Sequence, residues 1–282
     1  MNILEQEAVL RAWKEETGKD YFIQCEDGTV LASTWSPKER FFREAIGGKL
    51  AEKEIREEAG RLKLDFSAGR VLLFLECEGL STELMREVTE AMFPDALEEE
   101  CCLTEAGKGF LLFRQEEIPD RREAAEILRS ALEVETVSRV RIGVSRCFAD
   151  AGGLPAAREE AQLALLSLKR FPGTAHTALY DELGLRRAVL QIPEEQARAY
   201  LAGFSGGLEQ LLADEELART ADVFLETGLN SAETARQLII HRNTLNYRLE
   251  KIQKLSGLDL KTFSDAAAFQ LAALVWQNLR KR

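Results

Sequence analysis

Eight side chains with nucleic-acid chemistry fall within residues 242–254: Arg242, Asn243, Thr244, Asn246, Tyr247, Arg248, Lys251 and Lys254. A carboxamide donates and accepts at once, which lets asparagine pair bidentately with adenine in a major groove, while arginine and lysine meet phosphates as cations. On this reading Arg242, Asn243, Asn246 and Tyr247 approach base edges, with Thr244 beside them. Arg248, Lys251 and Lys254 neutralise phosphates. Glu250 either restrains Lys254 as an i,i+4 pair or accepts from a cytosine amino group.

These residues need a helix to hold them. At 100° per residue Leu245, Leu249 and Ile252 share one face of a helix over about 242–255, and Asn243, Asn246, Tyr247, Glu250, Lys251 and Lys254 share the other. A shorter helix precedes it. Gly228 closes the element before, Asn230 is suited to cap, and Glu233 stands three residues on, as in a capping box. Ala235 is small where two helices must cross, and Leu238 and Ile240 point inward on either side of a turn. His241 opens the second helix, although histidine is a poor N-cap by preference. Two short helices about a tight turn make a helix-turn-helix. Helical periodicity alone would also fit an ordinary amphipathic surface helix. The order small–Leu–x–Ile–polar–Arg–Asn–Thr–Leu–x–x–Arg–Leu decides against it.

The string Ala235-Arg236-Gln237-Leu238, followed by His241-Arg242-Asn243-Thr244-Leu245-Asn246-Tyr247-Arg248-Leu249, resembles the C-terminal helix-turn-helix of PucR/CdaR-type transcriptional regulators, a group that includes purine-catabolism and sugar-diacid regulators. It is also similar to the helix-turn-helix of Fis-like proteins. The resemblance spans about residues 65–282. It extends to Ile142-Gly143-Val144-Ser145, the run 157–165 and Leu179-Tyr180, which are similar to the degenerate GGDEF-like domain of that family. Working cyclases of the GGDEF type hold divalent metal with acidic side chains near a hairpin, and such metal demands oxygen ligands. The matching turn here offers Gly107-Lys108-Gly109 with Glu105 alone beside it. The resemblance therefore implies a regulator and no enzyme. Two alternatives come from other classes: a nucleotide-binding or enzymatic GGDEF-like protein using Lys108, and a structural partner that no longer binds DNA.

Residues 65–180 read as β-α-β-β-α-β, the ferredoxin-like order, with helices on one face of the sheet. Val71–Leu75 is the first strand, 81–92 a helix capped by Ser81, 100–104 and 110–113 strands around a hairpin, 121–132 a helix, 140–145 a strand and 154–168 a helix. Ahead of them, 4–14 is expected to be a helix, Glu26-Asp27-Gly28 the turn of a hairpin, and 37–62 a helix. The fold expected is α+β: an appendage or truncated sensor over 1–62, a ferredoxin-like GGDEF-like domain over 63–205, and an all-α helix-turn-helix domain over 206–282. Between Ala266 and Trp276 only Gln270 is polar, so the last helix must be buried on more than one side. It either plugs a core or joins a dimer interface, where Trp276 and Leu274 would be anchors.

The net charge of −11 is unevenly spread: from Leu229 onward nine Lys/Arg face four Asp/Glu, giving +5, and the rest carries −16. A small basic module on an acidic body suits DNA binding through that module alone. The five cysteines form no C-x-x-C pair and there are two histidines, so neither a metal site nor a cofactor is expected. No apolar run approaches the roughly 20 residues of a membrane span, and the first twenty residues lack a secretory pattern. The expected setting is cytoplasmic. The expected partners are double-stranded DNA and a second copy, with room for a small-molecule effector that the sequence does not identify.

Overall fold

The computed structural model describes residues 36–94, 107–171, 173–204 and 206–280, together with Leu10, Ala12, 22–24, 30–33 and 102–105. It divides into two compact units, Met1–Gln162 and Leu163–Arg282. The division falls within one helix, Leu154–Arg170.

In the first unit, β1 (Phe22–Gln24) and β2 (Val30–Ser33) pair antiparallel, and the turn expected at Glu26-Asp27-Gly28 lies outside the described residues. Most of the helix expected over 4–14 lies outside the described residues. The single helix expected over 37–62 is two, α1 (Pro37–Ile46) and α2 (Glu52–Arg61). Gly47 closes α1 and Gly48 follows at φ 73°, a left-handed turn that a helix cannot pass through. Ser36 and Glu39 form a reciprocal capping box at the start of α1.

The main sheet is built from β3 (Arg70–Glu76), β4 (Cys102–Glu105), β5 (Lys108–Arg114) and β6 (Arg141–Val144), which neighbour one another in the order β4-β5-β3-β6. Every pairing among these four is antiparallel, with Leu72 opposite Leu112 and Phe74 opposite Phe110. With α3 (Thr82–Met92) and α4 (Arg121–Thr136) the order is the ferredoxin-like one expected. Ser81 caps α3 through the Leu84 N–H, and Asp120 caps α4.

Helices cover both faces of this sheet, not one. Leu72 and Leu112 pack with Phe41, Phe42 and Ile55 of α1 and α2 and with Leu154 and Ala157 of α5 (Leu154–Arg170). The alternate positions face the other layer, where Phe113 meets Phe93 edge to face and Gly109 backs onto Met85 of α3. This two-sided cover explains why β3 reads as an unbroken apolar run. It also makes residues 37–62 part of the core of the unit instead of an appendage.

The second unit begins with the end of α5 and β7 (Thr177–Leu179). Among the described residues seven α-helices follow: α6 (Leu185–Gln191), α7 (Glu194–Ala202), α8 (Leu208–Ala213), α9 (Glu215–Glu226), α10 (Ser231–Gln237), α11 (Arg242–Ser256) and α12 (Phe263–Arg280). The boundary expected near residue 205 does not separate these helices, because α12 serves two clusters. One side of it, with Phe269, Ala272, Ala273 and Trp276, joins Leu211, Phe224, Leu245 and Ile252. Another, with Leu271, Leu274, Val275 and Leu279, joins Phe171, Val189, Leu190 and Ala197. Asn278, 2% exposed, donates to the Val189 carbonyl. The apolarity of the last helix is therefore used within its own unit, which removes the motive for Trp276 and Leu274 as dimer anchors.

Candidate nucleic-acid interface

Helices α9, α10 and α11 bring the predicted residues together. Asp214 caps α9 through the N–H groups of Glu216 and Leu217, and Asn230 caps α10 through those of Ala232 and Glu233. The Glu233 carboxylate does not return to the Asn230 backbone. It accepts from Arg236 and Gln237 instead, and these hydrogen bonds, Arg236 first, hold it below the usual carboxylate range. A hydroxyl pair, Thr227 Oγ1 to Thr234 Oγ1 at 2.7 Å, ties the end of α9 to α10. Ala235 is buried in the same cluster as Leu245 and Leu249.

The turn from α10 to α11 is closed by two backbone bonds, Ile239 N–H to Arg236 O and Ile240 N–H to Ala235 O. This is the Schellman arrangement, with Ile239 in the left-handed position at φ 55°. Leu238 and Ile240 pack against the core on either side, as expected. His241 then caps α11 despite its poor preference, its Nδ1 accepting from the Asn243 N–H at 3.2 Å. Gly257, at φ 77°, closes the helix.

Along α11, Leu245, Leu249 and Ile252 are buried. Arg242, Asn243, Thr244, Tyr247, Glu250 and Lys254 are exposed and Asn246 is half-buried, forming a continuous outer line. Glu250 and Lys254 do not come within ion-pair distance. Two of the eight residues depart from the expected arrangement. Arg248 turns toward α9, where its guanidinium pairs with Glu216 and donates to Thr220 Oγ1 at 3.2 Å. Lys251 lies 3.7 Å from the carboxylate of Asp214. Two of the three cations expected at phosphates thus brace α11 against the start of α9, Arg248 the more firmly because only 16% of its side chain is exposed. Sequence reasoning missed Asp214 and Glu216 as partners, and it passed over Ile239.

The other candidate chemistry, at the hairpin of the first unit, is constrained by packing. Glu105 pairs with Lys108, so the turn is two residues and Lys108 and Gly109 lie in β5. A Cβ at Gly109 would fall 2.5 Å from Met85 Sδ. The glycine makes room for α3. Among the described residues no group of three His, Cys, Asp or Glu is placed to hold a metal ion.

Residues 217–275 match the family model of the PucR C-terminal helix-turn-helix domain. This segment is a PucR helix-turn-helix. Residues 47–166 match the GGDEF-like domain model, so that domain takes in α2 and ends before α6. The Bacillus subtilis (strain 168) purine catabolism regulatory protein is 32% identical over 47% of this chain and 25% of its own length. Transcriptional activator PmfR of Paenarthrobacter nicotinovorans is 32% identical over 51% of this chain and 30% of its own. The carbohydrate diacid regulator of Escherichia coli (strain K12) is 26% identical over 54% and 40%. The chain thus spans between a quarter and two fifths of these three relatives. The PucR helix-turn-helix contains all eight residues singled out from the sequence.

Proposed function

We propose that the chain is a DNA-binding transcriptional regulator that reads sequence through α11. The observation that carries this is the outer line of α11, where Arg242, Asn243, Asn246, Tyr247 and Lys254 face away from a core filled by Leu245, Leu249 and Ile252. Amides and a phenol at base edges and cations at the groove margin are the chemistry of direct readout. Arg248 and Lys251 are assigned to positioning the helix, with Lys251 the more exposed and closer to a phosphate role. The regulator names of the relatives support the same reading, as does the match to the PucR helix-turn-helix. No helix among the described residues is long and apolar enough to cross a membrane, in keeping with a cytoplasmic setting.

The working unit is a homodimer. One helix-turn-helix reads only a few base pairs, and two copies on a two-fold axis with half-sites about 34–36 Å apart supply the rest. The GGDEF-like domain serves assembly or signal reception and performs no reaction. A gel-shift series with the full chain on its own upstream region tests the reading. A complex that outlasts a scrambled competitor and weakens steeply with salt is expected. Equal competition by the scrambled duplex would refute sequence-specific binding. Sedimentation of the full chain at micromolar concentration tests assembly, and a monomer there would refute the homodimer.

A further inference from the structure

Ile239 is 92% exposed, the most exposed of the large apolar side chains described. It also occupies the left-handed region at φ 55°. A β-branched residue there is a conformational outlier, because its side chain crowds the backbone. The conformation is imposed on it. Leu238 and Ile240 are anchored in the core, and the bonds from the Ile239 and Ile240 amides to Arg236 and Ala235 fix the turn between them. Elsewhere in this module glycine takes the cap position, and the other non-glycine residue there in the left-handed region, Leu229 at φ 64°, packs against the core. Gly228 takes φ 64° after α9, with Gly228 N–H to Leu225 O and Leu229 N–H to Phe224 O, and Gly257 takes φ 77° after α11. At the one helix end that precedes the reading helix, the chain keeps a strained isoleucine that buries almost nothing.

Strain without an internal return points outward. We infer that Ile239 is an apolar DNA contact that packs on the 5-methyl group of a thymine. The inference rests on the DNA-binding reading above. The side chain stands two residues before the His241 cap, at the end of α11 from which a recognition helix reaches base edges. Apolar contact with the thymine methyl is one of the elementary modes of major-groove readout, and an isoleucine provides it without polar atoms to desolvate.

Duplexes enriched from a random pool on the full chain, then resynthesised with single thymine-to-uracil replacements, provide the test. Uracil lacks only the methyl group. Ile239→Gly should melt about 2–4 °C higher, since it releases the turn, and should bind the enriched duplex about fourfold or more weakly, the worth of one buried methyl. One uracil replacement should weaken the wild type by a similar factor and leave Ile239→Gly unaffected. Unchanged binding and an unchanged uracil profile would overturn the inference. So would weakened binding with no uracil effect, which would place the side chain on the sugar-phosphate backbone. Intact DNA binding with lost transcription would place it on a partner protein instead. Should the wild type enrich no duplex at all, DNA binding itself fails, an outcome distinct from each of these.

Discussion

Arg248 and Lys254 carry the same charge on one helix and do different work. Arg248 is held by Glu216 and Thr220, whereas Lys254 stands on the exposed outer line. Arg248→Met should therefore lower stability by about 1–2 kcal/mol, the worth of a partly screened charged hydrogen bond. It should leave the dependence of DNA affinity on salt nearly unchanged. Lys254→Ala should do the reverse, reducing the slope of log K against log salt by about 0.9 while altering stability by less than about 0.5 kcal/mol. Thermal melts and salt titrations on the two variants check this, and a reduced slope for Arg248→Met would return it to the phosphates. Part of this was legible beforehand. At 100° per residue Arg248 lies about 40° from Ile252 and about 140° from Asn243, on the flank of the buried face. Its partner was not legible, because Glu216 lies 32 residues upstream and only the packing of α9 brings it near.

Among the elements, α8 and α11 approach unusually closely. A Cβ at Gly207 would fall 2.5 Å from the Leu255 carbonyl oxygen and 3.2 Å from its Cα. Those are backbone atoms, so no rotamer change relieves the collision. Gly207→Ala should cost about 1–3 kcal/mol. Gly206→Ala meets nothing within 4 Å and should be neutral or stabilise by about 0.4–1 kcal/mol, through the unfolded chain. Chemical denaturation of the pair settles it, and equal midpoints would show that the two helices can part without loss. Most elements were legible because their signals are local: Ser81, Asn230 and the apolar runs announce caps and strands within a few residues. The break at Gly47-Gly48 was equally local and was overlooked. The second covered face of the sheet was not local, since it depends on Phe41, Ile55 and Leu154 reaching Leu72 across the chain.

For the molecule as a whole, the limits of its units follow burial more than composition. A fragment of residues 206–282 contains the whole helix-turn-helix yet lacks Val189, Leu190 and Ala197, and would expose Leu271, Leu274, Val275 and Leu279. It should self-associate, while a fragment of residues 163–282 melts cooperatively as a soluble species. Sedimentation and melting of both fragments test this. A monomeric, cooperatively folded 206–282 would restore the boundary expected near residue 205. Glycines at 203, 206 and 207 give the sequence around residue 205 the look of a linker. What they could not reveal was that the apolar surface of α12 is divided between two partners on its own chain.

That division has a consequence for how the module breathes. Phe269 and Val275, 0% and 1% exposed, belong to different clusters on the same helix. When either cluster opens alone, the other still holds the helix. Its backbone amides should exchange with solvent only when both have let go, so α12 is expected to be the slowest hydrogen-exchange clock of the second unit. The reading helix, rooted in one cluster and bare along its outer line, keeps the faster time.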